Sequence, residues 1–305
     1  MGEKYLIRSG SNDHPVDPST ATDDNNNAND DNKLTKFNVA NLVGYLVNAT
    51  VTFGATGLLT RPSNGELSLK YQTLVTPAGW AFSIWGIIFT LQLVWASVPL
   101  FRKSQRNTPW IRAVGYNYLY VCVAQSLWTV TFSYESILLS VLCMYAILWF
   151  LWRAVDQLLP LAVDMTVGQY TANVAPLSIH LAWILAASFV NLNVLLVSQG
   201  VSDTVLFSAA VASLVLLFGT ALYYLRWDSC IPTVLAWPLW AIYVELSSPA
   251  ESILATFSTS QVNFVRYASI AASIILVLVV VVRRVLLLFG GRYTDSTSAT
   301  YLQAP

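Results

Sequence analysis

Charge is what this sequence has least of: 10% of its 305 residues are Asp, Glu, Lys or Arg, against about 25% in an ordinary soluble domain. The 16 basic and 16 acidic side chains cancel, so the chain offers no basic surface to a nucleic acid. Cysteine and histidine are nearly as scarce. Cys122, Cys143 and Cys230 form no CxxC or Cys/His spacing and read as small buried apolar residues. With His14 in a polar tail and His180 in an apolar run, no sequence-local set of zinc ligands exists. There is no GxSxG, no Ser/His/Asp arrangement and no Gly-rich phosphate loop, which removes the familiar hydrolase and nucleotide signatures. No Asp, Glu or Lys falls at the centre of an apolar run, which counts against a proton-coupled pump. No cofactor is expected.

What is present in abundance is apolar surface. Hydrophobic residues make up 55% of the chain, the mean hydropathy is +0.56, and several runs reach the roughly 20 residues that a spanning helix needs. The composition is that of an all-α, polytopic integral membrane protein. Residues 1 to about 36 are rich in Asn and Asp and lack an apolar core, so they read as a disordered tail and not as a signal peptide.

Eight helices are expected, over about Phe37–Thr60, Ala78–Leu100, Ala113–Phe132, a fourth from the Ser133-Tyr134-Glu135 turn to near Trp152, Val174–Val197, Thr204–Leu225, Ile231–Leu246 and Val265–Val282. A mildly polar link with Arg153, Asp156, Pro160 and Asp164 separates the fourth from the fifth. The seventh is short and contains Pro238, so a tilted, broken or re-entrant segment is expected there. On alternate sides of this arrangement the basic residues divide thirteen to three. Lys4, Arg8, Lys33, Lys36, Arg102, Lys103, Arg106, Arg112, Arg153, Arg226, Arg283, Arg284 and Arg292 share one side; Arg61, Lys70 and Arg266 share the other. Positive charge is retained on the cytoplasmic side, so both termini are expected to be cytoplasmic. Residues 1–36 and 291–305 are then tails, 37–200 a five-helix unit and 201–290 three additional helices.

Polar side chains inside spans are too costly to face lipid, and at 100° per residue they fall on single helical faces. The first helix aligns Asn41, Tyr45, Asn48 and Thr52, and the second Trp85, Phe89 and Gln92. The third aligns Asn117, Val121, Gln125 and Trp128, and the fifth His180, Trp183, Ala187 and Asn191. Each residue taken singly reads as interhelical glue worth about 1 kcal/mol. Four such faces converging read as a pocket with apolar walls and a few donors, suited to a flat apolar ligand with polar edges. Trp95, Trp110, Trp149, Trp152, Trp227 and Trp237 lie near span ends and read as belt anchors, whereas Trp85, Trp128 and Trp183 belong to the polar faces. His180 reads as a hydrogen-bonded interior residue and not as a haem ligand.

The stretch Pro77-Ala78-Gly79-Trp80-Ala81-Phe82-Ser83-Ile84-Trp85-Gly86 brings a loop into the second helix. Together with Gln125-Ser126-Leu127-Trp128 and with Pro176, Trp183 and Asn191 in the fifth helix, it resembles the translocator protein (TspO/MBR) family, in particular its longer tryptophan-rich sensory protein members. The resemblance covers about residues 38–197. It implies a five-helix bundle with a pocket for tetrapyrroles, sterols or similar hydrophobic ligands beneath the loop between the first two helices. By it, Pro77, Trp85, Trp128, Trp183 and Asn191 match family positions. Gln125 replaces an Asn of shorter members, and Gly79 occupies a position often held by Trp, the indole moving to Trp80. The expected ligand-binding set is Asn48, Pro77, Trp80, Trp85, Phe89, Gln92, Gln125, Trp128, His180, Trp183 and Asn191, in a membrane binding protein that acts as translocator or sensor. Rival readings are a secondary transporter using all eight helices, for which Pro238 would mark a broken helix, and a porphyrin-degrading membrane enzyme. Expected partners are a tetrapyrrole or sterol and the lipid bilayer; a homodimer is left open.

Overall fold

The computed structural model describes residues 33–58 and 64–301. The N-terminal tail through residue 32, the loop position Arg61 and the last four residues lie outside the described residues. Within them the chain is helical, with no strand. The helices are α1 (Lys36–Leu58), α2 (Asn64–Lys70), α3 (Ile84–Phe101), α4 (Pro109–Val114), α5 (Asn117–Ser133), α6 (Ile137–Ala162), α7 (Val167–Asn173), α8 (Ala175–Ser198), α9 (Asp203–Tyr224), α10 (Cys230–Glu245), α11 (Glu251–Thr256) and α12 (Thr259–Tyr301). A single 3₁₀ turn, Gly79–Ser83, leads into α3. Among the described residues, five segments are long and apolar enough to cross a membrane: Gly79–Phe101, Ile137–Ala162, Ala175–Ser198, Asp203–Tyr224 and Thr259–Leu287. The protein is a multi-pass, all-α integral membrane protein.

Several boundaries differ from the sequence expectation, each for a physical reason. The third apolar run is two helices, because Gly115 adopts φ +54° between α4 and α5, a conformation that favours glycine. Asn117, expected on an interior face, instead donates from Nδ2 to the carbonyl of Val114 at 3.1 Å and closes that break. The supposed polar link after Trp152 is helical as far as Ala162, with Pro160 inside the last turn; the N–H it lacks and the clash of its ring with the preceding turn fit a helix that stops two residues later. The seventh segment is not broken. Helix α10 continues through Pro238 for 16 residues, which at 1.5 Å per residue gives about 24 Å. Helix α12 runs from Thr259 to Tyr301 instead of from about Val265 to Val282; the Gly290-Gly291 pair weakens a helix by only about 1 kcal/mol per glycine.

Five helices close a ring. Helix α1 packs on α3 and α5, α5 on α6, α6 on α8, and α8 back on α3. The α1–α5 contact is close because Gly44 faces Leu119 and Cys122; a Cβ there would meet Leu119 Cδ1 at 3.0 Å. Small residues allow such approach in lipid, where packing and not hydrophobic burial drives association. Helices α9, α10 and α12 pack on one another and on the ring through α8, which is accordingly buried on most of its circumference. Apolar side chains of α9 and α12 such as Val215, Leu216, Val277, Leu278 and Val281 are exposed, as a lipid-facing surface requires.

Candidate functional site

The site begins with a loop that a soluble protein would leave on its surface. Residues Gln72 to Ala78 are all buried, so their backbone polar groups need partners inside the protein. Two threonines supply them. Thr76 Oγ1 accepts from Thr73 N at 3.0 Å, Thr73 Oγ1 accepts from Val75 N at 3.2 Å, and Thr76 N donates to Thr73 O at 3.1 Å. Pro77 has no N–H to satisfy, and Ala78 N donates across to Ala241 O of α10 at 3.1 Å. Trp237 Nε1 of α10 donates to Ala81 O at 3.1 Å, and Gln72 Nε2 donates to Glu245 Oε1 at 2.9 Å. The loop is therefore fastened to α10.

At its other edge the loop is tied to the α5–α6 turn, where Glu135 has φ +56°. The Glu135 carboxylate accepts from Lys70 Nζ, and from Tyr71 OH at 2.7 Å. Lys70, and then Tyr71, hold the Glu135 carboxyl below its ordinary value, and the same bond raises the Lys70 ammonium.

Beneath the loop lies a cavity of about 420 Å³, within the range of small-molecule sites. Its walls come from the loop, the start of α3, and α5, α6, α8, α9 and α10. Of the residues expected from sequence, Pro77, Trp85, Trp128, Trp183 and Asn191 line it. Trp128 Nε1 donates to Asn191 Oδ1 at 3.0 Å, and Asn191 Nδ2 reaches Ser140 Oγ at 3.3 Å, so α5, α8 and α6 are joined in the cavity wall. Trp85 and Trp183 meet edge to face at 6.2 Å, with Phe82 5.6 Å from Trp183. The Trp183 side chain is 2% exposed and its indole N–H has no hydrogen-bond partner. Leaving such a buried donor unpaired costs about 1–3 kcal/mol.

Six of the expected residues lie elsewhere. Gln92 and His180 form a buried lock: Tyr118 OH donates to Gln92 Oε1 at 3.0 Å, and Gln92 Nε2 lies 2.8 Å from His180 Nδ1. With its oxygen taken by Tyr118, the amide donates its N–H to His180, which makes the histidine the Nε2–H tautomer. His180 is thus the hydrogen-bonded interior residue expected. Phe89 packs between Tyr45, Phe53 and Trp85, and its carbonyl accepts from Tyr45 OH at 3.1 Å. Asn48 Oδ1 accepts from Thr52 Oγ1 at 3.3 Å. Gln125 is buried, with Oε1 unpartnered. Trp80 sits outside the cavity in an aromatic cluster, 4.7 Å from Trp237 and 5.2 Å from Trp240. Two belt assignments also change. Trp95 is buried against Tyr118 at 5.0 Å, and Trp237 braces the loop; Trp149, Trp152 and Trp227 are exposed.

Sequence reasoning missed the part of the site supplied from beyond residue 200. Leu217, Pro238, Ile242 and Glu245 line the cavity, so the five-helix unit does not enclose it alone. Phe132, stacked on Trp128 at 5.2 Å and 11°, and Gln72 were missed as well. The signal available was the four-residue spacing Pro238–Ile242 followed by Glu245, one helical face carrying a carboxylate.

No curated protein and no solved structure matches the chain. The TSPO-like protein family matches it over residues 38–282, a span that takes in the five-helix ring, the buried loop and the α10 lining together. With four fifths of its length so matched, the chain belongs to the TSPO-like protein family.

Proposed function

We propose that this protein is a membrane-embedded binding protein for flat hydrophobic small molecules of tetrapyrrole or sterol type, acting as translocator or sensor. The observation that supports it is the 420 Å³ cavity with Trp85, Trp128 and Trp183 in its walls, the last carrying a buried indole N–H with no partner. Indole faces bury large apolar area and stack on planar rings, and a single convergent donor orients what they hold. The test is quenching of tryptophan fluorescence by protoporphyrin dimethyl ester or by a sterol probe. Trp183→Phe keeps most apolar area and removes the donor, so binding weakens by about 1–2 kcal/mol, roughly five- to thirtyfold. Trp149→Phe, on the exposed side of α6, leaves binding unchanged. Equal loss in both variants, or no binding of either ligand class by the wild-type chain below about 100 μM, a ceiling near −5.5 kcal/mol, overturns the proposal.

We further propose eight membrane crossings with both termini cytoplasmic, on the thirteen-to-three division of basic residues. Cysteines placed at Ser68 and Gln105 then label from opposite sides of the membrane; labelling from one side refutes this orientation.

A further inference from the structure

Glu245 is the one titratable side chain among the described residues that line the cavity. It stands at the last residue of α10 and is half-buried. Its Oε1 accepts a single hydrogen bond, from Gln72 Nε2 at 2.9 Å, whereas a carboxylate offers about four lone-pair directions. No described cation is paired with it. Lys70, the described ammonium at the loop, is engaged by Glu135 and Tyr71. No Lys, Arg or His occurs among the described lining residues. The carbonyl end of α10 adds partial negative charge at the same place and favours a cation. The same cavity is lined by six aromatic rings, Phe82, Trp85, Trp128, Phe132, Trp183 and Phe189, and aromatic faces also attract positive charge.

We infer that the cavity selects ligands carrying a cationic nitrogen, and that Glu245 is the residue that reads this charge. The inference rests on the ligand-binding reading of the same cavity and names the ligand class within it: a flat apolar body with an ammonium or protonated amine at the loop end and an acceptor atom toward Trp183. An anionic ligand of the same shape meets a carboxylate and a helix C-terminus with no cation among the described lining residues, Arg266 being held over the Tyr243 ring, so the arrangement disfavours it as well as attracting its counterpart.

Three porphyrins of one ring system test this on the full-length protein in detergent: one with free carboxylate arms, one with methyl ester arms and one with dimethylaminoethyl amide arms. Tryptophan quenching gives each Kd. The expected order of affinity is cationic, neutral, anionic, with about tenfold or more between the extremes. Glu245→Gln keeps a side-chain oxygen for Gln72 and removes the charge, so it weakens the cationic porphyrin about tenfold and leaves the ester within about twofold. Equal weakening of all three by this variant makes Glu245 a mere fastener of the loop and overturns the inference. Wild-type protein that binds the ester without ranking the charged forms, or that prefers the anion, overturns it independently of how the variant folds. Failure of all three to bind refutes the ligand-binding reading itself, and the inference with it.

Discussion

The bond from Trp128 Nε1 to Asn191 Oδ1 joins α5 to α8 in the cavity wall at 3.0 Å, and its worth can be isolated by a double-mutant cycle. Trp128→Phe removes the donor and leaves Asn191, 4% exposed, with a buried acceptor unpaired; that penalty is about 1–3 kcal/mol. Asn191→Leu keeps the volume and removes the acceptor, leaving the indole N–H unpaired. Ser140 is little affected, because its Oγ still donates to Ile137 O at 2.7 Å. In the double variant neither orphan remains, so its destabilisation falls short of the sum of the singles. Interhelical hydrogen bonds inside membrane proteins average about 0.6 kcal/mol and reach about 1.7. An ordinary 3.0 Å distance in a part-buried site places the expected coupling within that range, at about 0.6–1.5 kcal/mol. The assay is unfolding of each variant in mixed micelles with increasing dodecyl sulfate, followed by helical circular dichroism so that loss of an indole does not alter the signal. Trp149→Phe, at a side chain 52% exposed, serves as control and shifts stability by less than about 0.5 kcal/mol. Additivity of the singles to within about 0.3 kcal/mol refutes an energetic link between the two side chains.

Three further outcomes follow from other contacts. At Gly44, a Cβ meets chiefly the terminal methyl of Leu119, so Gly44→Ala stays within about 1 kcal/mol of wild type while Gly44→Leu overpacks the α1–α5 contact by about 1–3 kcal/mol, measured by the same unfolding assay. The Glu135 carboxyl is lowered, and the Lys70 ammonium raised, by their mutual bond. That bond therefore supports the loop fully between the ordinary values 4.5 and 10.5, fading as pH falls through the depressed carboxyl value or rises through the elevated ammonium value. Hydrogen exchange of residues 64–71 should be faster in Glu135→Gln than in wild type at neutral pH and equal to it in acid; a difference that persists in acid rejects the ion pair as the cause. Tyr170 OH donates to the buried Asp228 Oδ1 at 2.6 Å, tying α7 to the α9–α10 turn, and burial followed by the nearby carboxylate raises the phenol well above its ordinary value. Tyr170→Phe should destabilise by about 1–3 kcal/mol, while Tyr223→Phe, on an exposed ring, should not; equal effects would show that the Asp228 bond carries no stability.

The sequence alone determined the helices and their azimuths. Run length set the spans, and a periodicity of 3.6 put Asn41, Tyr45 and Asn48 of α1 on one face, which the structure buries. The same pattern placed Trp128 and Asn191 on interior faces, and the structure joins them. Periodicity gives the direction in which a side chain points but not what it meets there or at what depth. His180 and Trp183 share a face three residues apart, about 4.5 Å along the axis, and that step separates the Tyr118–Gln92–His180 lock from the cavity wall. Gln92 and Phe89 likewise became helix-to-helix contacts, while Asn48 bonds within its own helix and Gln125 is buried with its oxygen unpartnered, because only the assembled ring fixes where the space between helices opens. Tertiary structure also decided the roof. Gln72 and Glu245 are 173 residues apart and meet at 2.9 Å because α10, packed on α8 and α12, brings its C-terminal turn over a loop whose backbone must be satisfied away from water. In lipid the pairing of helices depends on close packing and a few polar contacts, and these are properties of two surfaces together, which no single helix pattern contains.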